Sequence, residues 1–346
     1  MYPSFRRLLF RLEPEQAHRL TLRLLALAGA LPPVRSVLRG LFAVEDAGLR
    51  VRAFGLDFRN PLGLAAGYDK DGRGMVGLAC LGFGHLELGT VTPGPQAGNP
   101  RPRLFRLVED EALINRMGFP NAGAGPLLKR LARRRPPGVI LGVNIGKAAS
   151  TPLERAVEDY RNLVRSFAPV ADYLAVNVSS PNTVGLRQLQ ARHHLERLLG
   201  DLVAERDRLT RTIGRRVPML VKLAPDLSVA EVEDAVAAIE GAGIEGVIAT
   251  NTTLARDGLR SPQRAEDGGL SGVPLRARST EVIRHVSRLT GGRLAIVGVG
   301  GVFGARDVQE KLEAGACLVQ IYTGLVYRGP RLAREILRSL PRPLHG

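Results

Sequence analysis

From about residue 60 the chain alternates short apolar, β-branched runs with longer amphipathic stretches. The runs predict strands, and stretches such as 152–167, 228–240 and 279–289 have helical spacing. The eight predicted strands are 61–66, 85–90, 139–145, 173–178, 219–223, 246–250, 294–298 and 318–322. Ser228 and Glu231 have the spacing of a capping box at one helix start. Eight strand–helix units in succession predict an α/β fold, a (β/α)₈ TIM barrel, which typically takes about 250 residues.

The length of 346 residues would otherwise suggest two domains. A doubly wound open sheet is the alternative fold, but it needs a topological switch point and usually has fewer strands. We therefore predict one barrel domain over 46–346 and a separate N-terminal segment over 1–45. Two long loops, 93–120 and 251–274, follow strands, and such loops form the active-site face of a barrel.

Residues 1–45 do not share this period. Leucines 20, 24, 27 and 31 form a stripe on one predicted helix, and a second short apolar helix follows Pro32 and Pro33. Residues 1–40 contain seven Arg and two Glu, so this segment predicts a basic amphipathic extension that binds an anionic membrane surface. The alternative is a helical cap on the barrel. Glu13 and Glu15, and the lack of a small-residue cleavage site, argue against a signal peptide.

Charge and composition narrow the chemistry. The net charge of +16 favours an anionic partner, which can be nucleic acid, a lipid surface or an acidic small molecule. Two cysteines cannot form a disulfide framework, and the six histidines lack metal-ligand spacing, so we expect a cytosolic redox setting and no metal. Only five of the 49 basic residues are lysines, and Lys70, Lys147 and Lys222 each follow or end a predicted strand.

The predicted strand ends carry amides, hydroxyls, glycines and lysines, with few carboxylates and no histidine or cysteine. Catalytic groups of a barrel lie at these ends. This set suits a polar planar ring with a phosphate, and flavin mononucleotide (FMN) is the natural candidate. Backbone N–H groups after the last two strands would hold the phosphate. Lys222 would face the N1/O2 edge of the flavin, unless it simply pairs with Asp226.

Several longer strings resemble the dihydroorotate dehydrogenases, specifically the quinone-dependent, membrane-associated class 2 branch. They are AsnProLeuGlyLeuAlaAlaGlyTyrAspLysAspGly (60–72), AsnArgMetGlyPhe (115–119), AsnValSerSerProAsnThr (177–183), ValLysLeuAlaProAsp (221–226), AlaThrAsnThrThr (249–253) and LeuValGlnIleTyrThrGly (318–324). The resemblance covers nearly the whole chain. It implies oxidation of dihydroorotate to orotate through FMN, with electrons passed to a membrane quinone, in pyrimidine (UMP) synthesis. It also implies a peripheral protein at the cytoplasmic face of the inner membrane.

Carried over by position, the resemblance implies that Ser180 is the catalytic base, taking the C5 proton while hydride passes from C6 to flavin N5. Ser179 is expected to be an ordinary turn hydroxyl. Substrate-binding residues would be Lys70, Asn115, Arg116, Met117, Gly118, Phe119, Asn177, Asn182, Asn251 and Thr252. FMN-binding residues would be Ala66, Gly67, Lys70, Thr90, Asn144, Asn177, Lys222, Thr250, Gly272, Gly301, Tyr322 and Thr323. The resemblance places Arg106 near the quinone head, and Gln16 and Arg19 are weaker candidates for the quinone passage.

Three other functions compete. A 2-hydroxy-acid oxidase uses a histidine base, but all six histidines, His18, His85, His193, His194, His285 and His345, lie outside the strand ends. A tRNA dihydrouridine synthase would explain the basic charge but uses a loop cysteine, whereas Cys80 and Cys317 fall on a helix and at a strand start. A non-enzymatic module that binds membrane or nucleic acid leaves the strand-end lysines and asparagines unexplained. We therefore predict no nucleic-acid partner.

Overall fold

A closed barrel of eight parallel strands forms the centre of the computed structural model, which describes residues 2–342. The strands of the chain are β1 (Val51–Ala53), β2 (Leu56–Phe58), β3 (Leu62–Leu64), β4 (His85–Val91), β5 (Leu104–Leu107), β6 (Ala112–Asn115), β7 (Ile140–Ile145), β8 (Tyr173–Asn177), β9 (Met219–Leu223), β10 (Gly246–Ala249), β11 (Gly269–Gly272), β12 (Ala295–Val299) and β13 (Leu318–Ile321). The barrel contains β3, β4, β7, β8, β9, β10, β12 and β13, and β13 closes it on β3. This confirms the predicted (β/α)₈ barrel and excludes the open sheet.

Helices surround the barrel and precede it. They are α1 (Tyr2–Leu9), α2 (Pro14–Ala30), α3 (Pro32–Phe42), α4 (Met75–Ala79), α5 (Ala124–Arg133), α6 (Ala156–Phe167), α7 (Arg192–Ile213), α8 (Val229–Gly241), α9 (Arg276–Thr290), α10 (Ala305–Glu313), α11 (Thr323–Arg328) and α12 (Leu332–Ser339). The predicted capping box of α8 is present, since Ser228 and Glu231 each accept the other's backbone N–H. The apolar faces of these helices pack on the strands and bury one continuous core.

The floor of the barrel is filled by large side chains that occupy space left by glycines. A Cβ atom on Gly63 would lie 2.1 Å from Nε2 of His85, and one on Gly142 would lie 2.0 Å from Cζ of Tyr173. The β1–β2 hairpin closes this end, and the ring of Phe58 packs edge-on against His85. Strand glycines that look like weak points in the sequence therefore make room for an interior aromatic layer.

Both long loops predicted for the active-site face contribute strands to one small sheet. The first forms the β5–β6 hairpin, and β11 from the second loop adds to β6 as an antiparallel third strand. Leu270 of β11 also bridges to Thr253, just beyond β10. The sheet ties the two loops together over the carboxyl ends of the barrel strands.

The N-terminal helices pack against the side of the barrel and against this sheet. A Cβ atom on Gly77 of α4 would lie 2.1 Å from the carbonyl oxygen of Leu25, so α2 and α4 are in close contact. No single helix within residues 2–342 is long and apolar enough to cross a bilayer. Helices α2 and α3 together have the length and composition, but the chain bends by 111° between them.

Candidate active site

A cavity opens at the carboxyl ends of the barrel strands, beneath the three-stranded sheet. Most residues predicted for substrate and FMN line it. They are Ala66, Gly67, Lys70, Thr90, Asn115, Met117, Gly118, Phe119, Asn177, Ser180, Asn182, Lys222, Thr250, Asn251, Thr252, Gly272, Gly301, Tyr322 and Thr323. They converge because strands of a parallel barrel all end on the same face.

Two predicted residues lie outside the cavity lining. The Arg116 guanidinium pairs with Glu266 at 2.7 Å and covers the ring of Phe105, so its side chain points away from the cavity. The predicted substrate contact through this side chain therefore does not agree with the geometry. Asn144 lies one layer below the cavity, where it contacts Thr90 and Asn177, so it acts on the lining rather than as part of it.

A hydrogen-bonded chain of amides and hydroxyls connects the strand ends. Thr90 Oγ1 donates to Asn144 Oδ1, and Asn177 Nδ2 donates to both of these oxygens, at 2.9 and 3.2 Å. Asn251 Nδ2 donates to Asn177 Oδ1 at 3.3 Å. The chain holds these side chains in fixed orientations, which favours a rigid ligand with a set pattern of donors and acceptors.

The two adjacent serines have different surroundings. Ser179 Oγ accepts from Asn251 Nδ2 at 3.0 Å and donates to Asn177 Oδ1 at 3.3 Å, and its side chain does not line the cavity. Ser180 lines the cavity, and its Oγ accepts only the backbone N–H of Asn182, at 3.3 Å, among the residues described. Ser180 is thus the serine that is available to a ligand.

Two segments meet at the mouth of the cavity: the long loop 93–120, called the insertion, and the loop after β8 that contains Ser180. Asn182 Nδ2 donates to Asn115 Oδ1 at 3.2 Å. Asn99, which was not predicted, donates from Nδ2 to the carbonyl oxygens of Arg116 and Asn182, at 2.9 and 3.3 Å. These contacts cover the cavity with polar side chains from loops that are 83 residues apart in the chain.

Lys70 provides a positive charge inside the cavity. Its Nζ donates to the carbonyl oxygen of Gly67 at 2.8 Å. Burial, assisted by the nearby Arg103 cation, lowers the pKa of Lys70 to about 8. The ammonium therefore remains protonated at neutral pH and favours an anionic ligand.

Lys222 lies at the cavity floor beside a residue that the sequence analysis missed. Its Nζ lies 3.8 Å from Oε1 of Glu87, a carboxylate 1% exposed in the middle of β4. The alternative partner Asp226 instead pairs with Arg187 at 2.8 Å. In the sequence, the feature that could have identified Glu87 is a lone charge within an otherwise apolar predicted strand. Gln320 also lines the cavity, and its Oε1 is buried without a hydrogen-bond partner in residues 2–342.

The opposite end of the cavity is built from backbone. Gly300 and Gly301 follow β12 with φ of +128° and +68°, a region that glycine adopts without strain. The N–H groups of Gly301 and Val302 donate to no acceptor in the part of the chain that the structure describes. The adjoining cavity wall contains Thr323 and Gly324, the first residues of α11, whose N–H groups have no partner within the helix. Free N–H groups at this position suit a phosphate.

Lys147, the third lysine noted in the sequence, has a local role. Its Nζ donates to the carbonyl oxygens of Ala148 and Thr151, at 2.9 and 2.6 Å, and it does not line the cavity. The residue closes a turn after β7.

A second, largely apolar cavity lies between the N-terminal helices and the barrel. It shares His18, Leu104, Leu113 and Tyr322 with the first cavity, so these four side chains separate the two spaces. The His18 ring packs edge-on against Tyr68 at 5.0 Å. Burial, with the nearby Lys70 cation, lowers the pKa of His18 to about 4, so the imidazole is neutral at physiological pH.

Of the three residues predicted for the quinone passage, only Arg106 lines the second cavity. Its Nη1 donates to the carbonyl oxygens of Phe10 and Leu12, and its guanidinium lies 4.6 Å from the centre of the Phe10 ring. Gln16 is exposed and Arg19 pairs with Glu15 at 3.6 Å. Both residues lie on the face of α2 that points away from the cavity. Ala17 and His18 lie on the face that lines it.

A family model described as dihydroorotate dehydrogenase matches residues 48–344. The chain belongs to the dihydroorotate dehydrogenase family. A protein of Azotobacter vinelandii named dihydroorotate dehydrogenase (quinone) is 52% identical over 341 residues, 98% of this chain and 96% of that one. A protein of the same name from Thermus thermophilus is 52% identical over 338 residues, 97% of this chain and 95% of that one.

Solved structures of the dihydroorotate dehydrogenase family share the fold. The enzyme of Eimeria tenella in complex with ferulenol has a TM-score of 0.85 and 40% identity, covering 93% of this chain and 89% of that chain. Its ligand-free form gives the same TM-score and identity.

Family membership agrees with the positions of the cysteines and histidines. Cys80 is buried at the end of α4 and Cys317 donates to the carbonyl oxygen of Ile296, so neither reaches the dihydroorotate dehydrogenase cavity. His18 lines the cavity wall, but it belongs to α2 and not to a strand end. His85 is buried in the barrel floor, and His345 lies outside the described residues. Among residues 2–342, the carboxyl ends of the barrel strands are followed by Ser180 and asparagines and by no histidine or cysteine.

Proposed function

We propose that this protein is a quinone-dependent dihydroorotate dehydrogenase, which oxidises dihydroorotate to orotate in pyrimidine synthesis. One observation carries the proposal: a strand-end cavity with Ser180, Lys70 and four asparagines adjoins a second, apolar cavity. The first suits a polar anion, and the second suits a hydrophobic molecule. The name shared by relatives about 50% identical over nearly the whole chain supports this reading.

The proposed cofactor is FMN. The N–H groups near Gly301 and Thr323 would hold its phosphate, and Lys222, Thr90, Thr250 and Asn177 would contact its ring. The remaining cofactor contacts would come from Ala66, Gly67, Lys70, Gly272 and Tyr322, with Asn144 acting from below. Bound FMN would accept the two electrons removed from the substrate. Two observations favour this fit: the Lys222 ammonium at the cavity floor, and the N–H groups of Gly301 and Val302, none of which has a hydrogen-bond acceptor in residues 2–342.

The proposed substrate site lies between Lys70 and the two loops. Lys70 would pair with the carboxylate of dihydroorotate, since it is the cation that lines this part of the cavity. Asn115, Asn177, Asn182 and Asn251, with Thr252, would bind the ring amides. Met117, Gly118 and Phe119 would form the wall of the insertion, and we propose no substrate contact for the Arg116 side chain.

Ser180 is the proposed base. It would take the C5 proton of the substrate, because among the described residues its Oγ accepts one backbone N–H and donates to no acceptor. No carboxylate or imidazole of residues 2–342 lies within hydrogen-bond distance of its Oγ. A serine hydroxyl keeps its own proton at neutral pH. A further group therefore has to accept that proton when Ser180 acts as the base.

The N-terminal segment 1–45 is proposed to provide access for quinone and to bind the anionic cytoplasmic face of the inner membrane, while 46–346 holds the catalytic barrel. The outward faces of α2 and α3 expose Leu27, Leu31 and Val37, together with Arg23 and Arg39. Apolar side chains beside cations are suited to a peripheral contact with anionic lipid. Arg106 would contact the quinone head. Gln16 and Arg19 face away from the cavity, on the side of α2 that would meet lipid.

The test is steady-state oxidation of dihydroorotate with a soluble quinone, compared with fumarate and with NAD as acceptors. We expect quinone to be much the fastest. Equal rates with fumarate or NAD would reject the quinone-dependent assignment. The purified protein should be yellow and should release FMN when denatured, and release of FAD or of no flavin would reject the cofactor.

A further inference from the structure

Glu87 is a buried carboxylate whose position no step of the reaction explains. It lies in the middle of β4, and its side chain points into the barrel below the cavity. Its oxygens accept from Asn144 Nδ2 at 2.8 Å, Gln320 Nε2 at 2.9 Å and Tyr173 Oη at 3.1 Å. Barrel interiors are usually filled by Val, Ile and Leu. A charged group with three donors around it therefore suggests a function beyond packing.

The first effect of Glu87 is on amide orientation. A carboxylate only accepts, so Asn144 must turn its NH₂ group toward Glu87 and its oxygen toward Thr90 and Asn177. Asn177 must then turn its NH₂ group toward Asn144 and its oxygen toward Ser179 and Asn251. That oxygen accepts from Asn251 Nδ2 at 3.3 Å. One acceptor-only group thus fixes three amides in turn, two of which line the cavity.

The second effect is on charge. The Lys222 ammonium lies 3.8 Å from Glu87, and no hydrogen-bond acceptor in residues 2–342 binds it. Both groups are almost fully buried, with side-chain exposures of 6% and 0%. Attraction between charges is strong at such sites because little water screens it. Glu87 therefore reduces the positive potential that Lys222 applies at the cavity floor.

We propose that Glu87 is a positioning residue that acts through two neighbours. Through Asn144 it orients the side-chain amides of Asn177 and Asn251, which would bind the substrate. Through Lys222 it sets the reduction potential of the bound flavin. The inference rests on the proposed function, since it needs FMN and orotate in this cavity. Glu87 itself lines neither cavity, so it makes no direct contact with either ligand.

Two substitutions separate the two effects. Glu87→Gln removes the charge but keeps an oxygen for Asn144, because Gln320 can turn its unpartnered oxygen to accept the new NH₂ group. Glu87→Asp keeps the charge but is one methylene shorter, so it withdraws the acceptor from Asn144. Tyr173→Phe is the matched control, because it removes one neutral donor to Glu87 and leaves both the charge and Asn144 unchanged.

The measurements are the midpoint potential of the bound flavin, by reductive titration against a reference dye, and the orotate Kd, from the flavin absorbance shift. Glu87→Gln should favour reduced over oxidised flavin by about tenfold, or about 30 mV for a two-electron couple, with little change in orotate Kd. Glu87→Asp should weaken orotate binding by about tenfold with little change in potential, since a lost hydrogen bond in a ligand site has this size. Tyr173→Phe should change neither quantity.

A purely structural role predicts a different result: lower melting temperatures, with the potential and orotate Kd of wild type in every variant that retains flavin. That result would overturn the inference, as would failure of both Glu87 variants to fold. The wild-type protein is measured first. If it lacks FMN or is not reduced by dihydroorotate, the proposed function fails, whereas unchanged Glu87 variants beside an active wild type reject only this inference.

Discussion

The two cavities adjoin each other but are built by opposite means. The strand-end cavity is lined by side chains that are fixed to one another, as in the chain from Thr90 through Asn177 to Asn251. The second cavity is lined mainly by leucines, alanines and aromatic rings from helices that lie against the barrel. A polar reaction needs donors and acceptors at set positions, whereas a hydrophobic guest needs only apolar space of the right width.

The difference extends to how each region is held in place. The strand-end residues stand on a closed barrel, whereas the N-terminal helices pack on its outside, with α2 in close contact with α4. A buried polar contact adds to this packing, since the Glu15 carboxylate accepts from Arg103 at 2.9 Å and from Arg101 at 3.0 Å. Glu15 therefore joins α2 to the insertion that covers the active site. The comparison predicts that substitutions in the first region change the chemistry and that those in the second change access, attachment or membrane binding.

The largest effect should follow the loss of the base. Ser180→Ala should retain FMN and bind orotate, but dihydroorotate should reduce the flavin roughly 10² to 10⁴ times more slowly, the usual contribution of a positioned base. Ser179→Ala should have a much smaller effect, because its hydroxyl is already engaged with Asn177 and Asn251. Stopped-flow reduction measures both, and the reverse order would show that the base is Ser179.

The next largest effect should be on stability, at the joint between the two regions. Glu15→Gln leaves the Arg103 guanidinium, 5% exposed, without its charged partner, and should lower the free energy of unfolding by about 3 to 5 kcal/mol. Glu13→Gln is the control, because Glu13 only caps α2 and should cost about 1 kcal/mol. Denaturant titration measures both, and equal losses would argue against the Glu15 contact as the main attachment.

The same joint should depend on pH. Burial alone would raise the pKa of Glu15, but hydrogen bonds and charges from Arg103 and Arg101 lower it from 4.5 to about 2. The folded pKa is below the unfolded one, so this stabilisation is complete above about pH 4.5 and is lost as pH falls toward 2. Melting temperatures across this range should fall more steeply for wild type than for Glu15→Gln. Parallel curves would mean that another group governs the acid response.

A bulky substitution should block the second cavity without changing the first. Ala28 lines the apolar cavity, and Ala28→Phe would place a ring in the space proposed for the quinone. Reoxidation of the flavin by a long-chain quinone should slow by roughly 10- to 200-fold, the usual range for a size mismatch in an apolar pocket, while its reduction by dihydroorotate stays near wild type. Leu27→Phe, one residue away on the exposed face, is the control. Equal loss of both half-reactions would contradict separate roles for the two cavities.

The smallest effect should be on membrane binding. Leu27 and Leu31 are 64% and 54% exposed, so changing both to Ser should leave the melting temperature unchanged. Binding to vesicles that contain anionic lipid should weaken by about tenfold or more, since a fully buried leucine contributes about 1.5 to 3 kcal/mol. Activity with a soluble short-chain quinone should not change. Unchanged vesicle binding would favour the alternative that these helices only cap the barrel.

The sequence alone determined the barrel. Every predicted barrel strand is present with ends within two residues, because apolar period and strand length are local properties. Local strings also located most of the cavity lining, since a barrel brings all strand ends to one face regardless of the intervening loops. Ser180 followed from its string by resemblance, and the structure adds that its neighbour's hydroxyl is occupied.

What only the tertiary structure decided depends on side-chain direction and on contacts distant in the chain. Arg116 lies inside a matching string, yet its side chain turns to Glu266, 150 residues away. Gln16 and Arg19 were weaker candidates for the quinone passage, but the face of α2 that meets the barrel depends on its close contact with α4. No sequence motif identifies His18 or Glu87. Only in the folded chain does His18 separate the two cavities and Glu87 lie beside the Lys222 ammonium. Packing, and not local pattern, assigns such roles.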